Sequence, residues 1–272
     1  MQAALEARLE LEGELRQALK KQQLLLHYQV QVDQCQRPLG AEVLLRWEHP
    51  EYGMVSPLQF VPLAEETGLI LPIGLWVLQT ACEQLRVWQY DVLTRDLTLS
   101  VNVSAKQFRQ GDFAAQVKNV LQDSGAKPAL LKLELTESTV LDNVEDTIAK
   151  MLVLKKIGVG FSMDDFGTGY SSLQYLKRLP LEQIKIDQSF VRDITSDPND
   201  AAIVKTIIAM AEAMGLGVIA EGVETVAQQV FLDKHGCHAF QGYLFSRPIP
   251  LDQFEGILRA GKKSPVHSSA LP

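Results

Sequence analysis

Short apolar or alternating stretches recur along the chain at 24–32, 40–47, 97–104, 130–136, 158–164, 183–187, 216–221 and 238–245. Helical patterns separate most of them, for example at 75–90, 142–156, 200–214 and 224–234. Stretch length and hydrophobic period assign the first set to strands and the second to helices. Eight strands with helices between them predict an α/β fold, a TIM-like (β/α)8 barrel; an open doubly wound sheet has a similar rhythm. No composition shift interrupts 20–260, so this region reads as one domain.

The two faces of each strand differ in kind. In "LTLSVNVS" Leu97, Leu99, Val101 and Val103 share one face, with Thr98, Ser100, Asn102 and Ser104 opposite. "LLKLELTE" sets Leu131, Leu133 and Leu135 against Lys132, Glu134 and Thr136. "VGFSMD" sets Val159, Phe161 and Met163 against Gly160, Ser162 and Asp164, and "QIKID" sets Ile184 and Ile186 against Lys185 and Asp187. "AEVLLRW" brings Glu42 and Arg46 together, opposite Val43, Leu45 and Trp47. In a barrel the apolar faces pack on the outer helices and the others look inward. Polar groups near the C-terminal strand ends then meet at the mouth, where barrel enzymes keep their sites. Glu42, Asn102, Glu134, Asp164, Lys185, Glu221 and Gln241 meet that description.

Several acids in one pocket repel unless protonated or bound to cations. Oxygen donors without clustered histidines favour Mg²⁺ or Mn²⁺ over zinc. Two such ions bridged by one carboxylate suit phosphate-ester hydrolysis. The neighbours Asp164 and Asp165 can serve both if Asp164 points inward and the chain turns at Asp165. Taken alone, "DDFGTGY" fits a capped strand-to-helix turn better; acids at the same level of other strands favour the metal reading. "HGCH" (His235 to His238) matches no standard zinc spacing, and Met210 and Met214, one helical turn apart, read as core.

Composition narrows the rest. Of 272 residues, 46% are hydrophobic, enough for a sizeable core, and the formal charge of −7 argues against a DNA- or RNA-polymer-binding surface. An anionic ligand stays possible if a bound cation supplies positive charge. Cys35, Cys82 and Cys237 are too scattered for a disulfide framework, so a reducing, cytoplasmic setting is expected, although the chain can be a piece of a larger, even membrane-anchored, protein. The first twenty residues carry Leu5, Leu9, Leu15 and Leu19 among charges, a helix that either packs on the domain or links it to an upstream module. The expected division is a linker helix at 1–20, a barrel at 21–261 and a flexible tail at 262–272.

The motifs "AEVLLRW", "FVPLAEETGLI", "NVSAKQF", "LELTES", "DDFGTGYSSL", "IKIDQSFV", "IAEGVET" and "QGYLFSRP" occur in this order over nearly the whole chain. In this the chain resembles the EAL-domain cyclic di-GMP phosphodiesterases. The resemblance implies a barrel whose first strand runs antiparallel to the rest, and Mg²⁺- or Mn²⁺-dependent opening of cyclic di-GMP to linear 5′-pGpG with two ions per site. It implies Glu42, Asn102, Glu134, Asp164, Asp165 and Glu221 as metal ligands, Asp164 bridging. Lys185 would sit beside the nucleophilic water, with Glu221 and Glu137 also in the catalytic set. Arg46 and Leu44 would hold the dinucleotide, with Gln29 and Tyr243 as further contacts, and Gln241 would complete the inner shell through water or substrate. Glu137 would anchor the loop Phe166–Ser172, which in the family couples dimerisation to metal binding. A homodimer and an upstream sensory or GGDEF-type domain are further implications.

The chain departs from the family pattern at Val43, for Ala in the name-giving triplet, and at Val30, for Pro; neither removes a ligand. The competing readings are a catalytically weak cyclic di-GMP receptor module and an unrelated metal-dependent barrel enzyme. A broken acidic set would mark the receptor, and the set is intact.

Overall fold

The computed structural model describes residues 2–141, 143–167 and 173–261, the side chains of 2–7, 141, 173 and 261 excepted. The expected tail at 262–272 and most of the Phe166–Ser172 loop lie outside the described residues. Ten strands form one sheet: β1 (Leu24–Asp33), β2 (Pro38–His49), β3 (Gly53–Val55), β4 (Thr98–Asn102), β5 (Leu131–Thr136), β6 (Gly160–Phe166), β7 (Gln183–Ile186), β8 (Gly217–Ala220), β9 (Ala239–Gln241) and β10 (Ile249–Pro250). From β2 the parallel neighbours run β4, β5, β6, β7, β8, β9. β1 closes the ring antiparallel to both β9 and β2. The result is an eight-stranded α/β barrel with its first strand reversed; β3 and β10 are short antiparallel additions to β2 and β1.

Alternation along the strands explains which side each residue takes. Leu99, Val101, Leu133, Leu135, Phe161, Met163, Ile184 and Ile186 are all buried in the main core. Helix Ile70–Trp88 covers part of that layer with Ile70, Ile73, Val77, Ala81, Leu85 and Trp88, apolar positions three and four apart. Trp88 stacks on Phe254 of the last helix, ring centres 5.6 Å apart. Leu85 is fully buried, so Leu85→Ala should cost about 2–5 kcal/mol. Met210 and Met214 pack against the same core.

At two of the boundaries that differ from the sequence pattern, the local cause is plain. The helix expected from 200 starts at Pro198, because proline suits the first helical position and Asp197 caps it, accepting from Asn199 N at 2.7 Å. The last expected strand stops at Gln241, because the next residues turn: Phe245 and Ser246 N–H groups return to the Gly242 carbonyl. At the other end, helix Gln2–Ala18 buries Leu15 and Ala18 and rests Leu19 on the core, leaving Leu9 exposed. Arg8 pairs with Glu66 of helix Pro57–Thr67.

Candidate active site at the barrel mouth

Register brings the polar strand ends to one level. Glu42 lies beside Ser100, Asn102 beside Glu134, and Thr136 beside Asp164 on successive strands. Backbone bonds running past the strands hold these ends: Val103 N–H to the Glu134 carbonyl at 3.0 Å, Glu221 N–H to Ile186 at 3.1 Å, and Val223 N–H to Gln241 at 3.0 Å. Behind Asn102, Ser104 and Gln107 form a reciprocal cap on the next short helix. Behind Glu221, Gln228 Oε1 accepts from Glu224 N and Thr225 N at 2.8 and 2.9 Å, fixing the turn.

Lys185 stands at the centre, 1% exposed. Its Nζ lies 2.5 Å from Glu134, 2.6 Å from Glu221, 3.1 Å from Asp164 and 3.3 Å from Glu42. Burial opposes its charge, but these carboxylates hold the ammonium well above its ordinary pKa. One cation faces four acids, and the acids divide accordingly. Burial also works against Glu42, yet Lys185 and the hydrogen bonds from Gln241 and Asn102 outweigh it and keep that carboxyl below its usual value. Burial pushes Glu134 up to about 8, with Glu42 and Asp164 adding to the rise against the pull of Lys185. Glu221 is likewise raised well above the usual range, by burial first and then by the other acids.

The adjacent aspartates reach one pocket through backbone geometry. Pairing of β6 with β7 slips between Met163 and Phe166, a bulge that spans both aspartates. Asp165 adopts φ +52°, a left-handed conformation that Asp tolerates better than most residues. Its N–H is tied to Asp164 Oδ1 at 3.0 Å. Without the bulge the two side chains would leave opposite faces. Burial, Asp164 and a hydrogen bond with Asp187 push Asp165 up to about 6. Gly167, at φ +102°, continues the turn, and a Cβ there would meet the Phe190 ring at 3.0 Å.

The donor set fits divalent cations. Ligand atoms of Glu42, Glu134 and Asp164, and of Asp164, Asp165 and Glu221, lie within 4.8 Å of one another in each group, with Asp164 common to both. All are oxygens, the chemistry of a hard ion. Glu134 Oε1 is buried with no hydrogen-bond partner among the described residues, an acceptor in need of positive charge. Asn102 donates its Nδ2–H to Glu42 Oε1 at 2.5 Å, so its Oδ1 is the atom suited to ligation.

A cleft of about 500 Å³ opens over this cluster, with Leu44, Arg46, Asn102, Glu134, Asp164 and Asp165 in its lining. Arg46 is half-buried and bonds the Leu45 carbonyl at 2.8 Å; burial lowers its pKa from the ordinary value, against the pull of Tyr243 and Glu42. Tyr243 is half-exposed and interacts with Arg46, with the Arg247 guanidinium 4.3 Å from its ring centre. Gln29 and Gln241 are buried beside Glu42. Glu137 is buried at the start of helix Glu137–Leu141, and neither of its oxygens has a partner among the described residues. The loop it was expected to hold falls largely at 168–172, outside those residues.

The "HGCH" residues do not converge. His235 bonds the Phe231 carbonyl, His238 bonds Asp233, and the Cys237 thiol points at the carbonyls of Val218 and Ala239. Three residues that the sequence reading left without a role, Asp187, Gln31 and Arg247, stand in or beside the site. Asp187 shares the alternating face of Lys185, and that spacing was the available signal. Gln31 follows Gln29 at the same spacing.

Comparison with known proteins gives a consistent result. A family model described as "EAL domain" matches residues 12–248. The chain is 48% identical over 254 residues to the bifunctional diguanylate cyclase/cyclic di-GMP phosphodiesterase MucR of Pseudomonas aeruginosa, covering 93% of this chain and 37% of that protein. It is 40% identical over 245 residues to the cyclic di-GMP phosphodiesterase PdeR of Escherichia coli, covering 90% and 37%. The solved structure described as PaMucR phosphodiesterase, c-di-GMP complex, superposes with TM-score 0.88 at 47% identity, over 90% of this chain and 99% of that one. The EAL enzyme Bd1971 in its cAMP- and cyclic-di-GMP-bound form gives 0.89 at 36%, over 95% and 70%. The chain spans about a third of the length of the curated relatives it matches.

Proposed function

This chain belongs to the EAL domain family, and from that premise we propose that it is a metal-dependent phosphodiesterase that hydrolyses cyclic di-GMP to linear 5′-pGpG. The observation that carries the reading is the intact acidic cluster: four carboxylates share one buried ammonium, so the mouth is short of positive charge. Glu42, Asn102, Glu134, Asp164, Asp165 and Glu221 would hold two Mg²⁺ or Mn²⁺ ions, with Asp164 serving both. When bound, such ions supply Lewis-acid polarisation of the phosphoryl oxygens and a nucleophile at neutral pH.

The protein's own groups do the positioning. Lys185 keeps its proton and sets the four carboxylates around one point, beside which the scissile phosphate is held. Arg46 clamps a phosphate at the cleft wall through charge-assisted hydrogen bonds, while Leu44 supports the ligand from the same strand. Tyr243, backed by Arg247, offers a flat face at the rim for a guanine base. Homodimerisation and an upstream GGDEF-type or sensory domain belong to the same proposal.

Purified protein incubated with cyclic di-GMP and Mg²⁺ should yield 5′-pGpG by chromatography, and chelation should stop it. Tight binding without product in either metal would identify a receptor module instead. Absence of both binding and turnover would reject cyclic di-GMP as the substrate.

A further inference from the structure

Three buried glutamines form one connected chain of amides that ends on a metal-site carboxylate. Strand β1 presents Gln29 and Gln31 two residues apart, and β9 presents Gln241; they are 7%, 3% and 4% exposed. Gln31 is the register partner of Gln241, and Gln29 that of Glu42. Gln31 Nε2 donates to Gln241 Oε1 at 2.9 Å. Gln241 Nε2 donates to Gln29 Oε1 at 3.1 Å and to Glu42 Oε2 at 2.5 Å. Gln29 Nε2 donates to the Ser246 carbonyl at 3.1 Å.

The direction of this chain is set at its far end. A backbone carbonyl can only accept, so Gln29 must turn its amino group to Ser246 and its oxygen to Gln241. Gln241 must then donate, both to Gln29 and to Glu42. Its own oxygen, buried, needs a donor, and Gln31 supplies it. Turned over, Gln241 would set its oxygen against Glu42 Oε2 and Gln29 Oε1, two acceptor–acceptor contacts, and its amino group against that of Gln31.

We propose that Gln31 is a positioning residue: it locks the Gln241 amide with its donor on Glu42 and so fixes the Glu42 carboxylate for metal binding. The proposal rests on the metal-site reading above. It also assigns Gln241 a donor's role toward Glu42, where the family resemblance gave it contact with water or substrate. Among the described residues the Gln31 side chain bonds Gln241 and no carboxylate, and Gln31 does not line the cleft, so it acts through Gln241.

Gln31→Met keeps the length and removes the donor. Mn²⁺ binding followed by calorimetry should weaken about tenfold or more, the range for groups that orient metal ligands. Turnover of cyclic di-GMP should need correspondingly more metal and recover at saturation. Gln241→Met should do at least as much, and the double variant should be no worse than Gln241→Met alone, because Gln31 acts only through that amide. Unchanged metal affinity in folded Gln31→Met, or an effect that adds to that of Gln241→Met, overturns the proposal. Independently of folding and activity, the Gln241 side-chain amide protons in wild-type protein should exchange slowly with solvent by NMR, and fast exchange overturns it too. Wild-type protein that binds no Mn²⁺ would reject the metal reading itself, while the amide signal would still decide whether the lock exists.

Discussion

The two walls of the barrel mouth are finished to different degrees. On the β1, β2 and β9 side, Glu42 takes hydrogen bonds from Asn102, Gln241 and Lys185, and its carboxyl is held below the usual range. On the β5 and β6 side, Glu134 is pushed up to about 8 and Asp165 up to about 6, and among the described residues one Glu134 oxygen and both Glu137 carboxylate oxygens have no hydrogen-bond partner. The same residue type two strands away behaves oppositely because of its donors, since both glutamates are buried. One wall meets its carboxylate with protein donors, and the other keeps an unpaired acceptor.

The largest way to break this contrast is to remove Asp164, the group that the two carboxylate clusters share. Asp164→Ala should cut turnover by about 10²–10³-fold or more without rescue by extra Mg²⁺, measured as kcat on folded protein. Near-normal turnover there would undo the shared-ligand arrangement. Glu137→Ala tests the wall's support rather than its ligands. Activity should fall about 10-fold or more and recover in part as Mg²⁺ is raised. Equal rescue of both variants, or full activity in Glu137→Ala, would reject that distinction. Arg46→Ala, on the finished wall, should raise KM by about 10-fold and change kcat less, since a clamp removed from a phosphate away from the reacting bond loses binding first.

The smallest effect is a pH dependence. The ordinary Glu value is 4.5, and Glu134 is raised to about 8 in the folded protein. Across that window the unfolded chain gives up this proton while the folded, metal-free protein retains it, so stability falls as pH rises. The loss is on the order of a few kcal/mol at most, shared among coupled acids. Thermal midpoints of chelated protein from pH 5 to 8 should decline, and Mg²⁺ should flatten the slope. A midpoint that rises over this range without metal would contradict the raised Glu134.

Much of this was readable in the sequence, for a physical reason. Alternation is a local property, so the inward placement of Glu42, Glu134, Asp164 and Lys185 followed from their own strands. The reversed first strand came with the family motifs, and periodicity alone left an open sheet standing. The bulge that turns Asp165 beside Asp164 breaks alternation at the very point where it was being read, and a left-handed non-glycine residue leaves little trace in a pattern. The Gln31–Gln241–Glu42 relay joins residues 210 and 199 positions apart, so it depends on barrel closure and register. Asp187 was placed on the correct face, but its contact with Asp165 requires the bulge.

The most direct test of an acidic mouth short of positive charge is equilibrium Mn²⁺ binding, followed by electron paramagnetic resonance on metal-free wild-type protein. The account predicts two Mn²⁺ per chain with the exchange-coupled signal of neighbouring ions, and a rise in thermal midpoint on loading. No bound Mn²⁺, or two uncoupled ions with an unchanged midpoint, would contradict it.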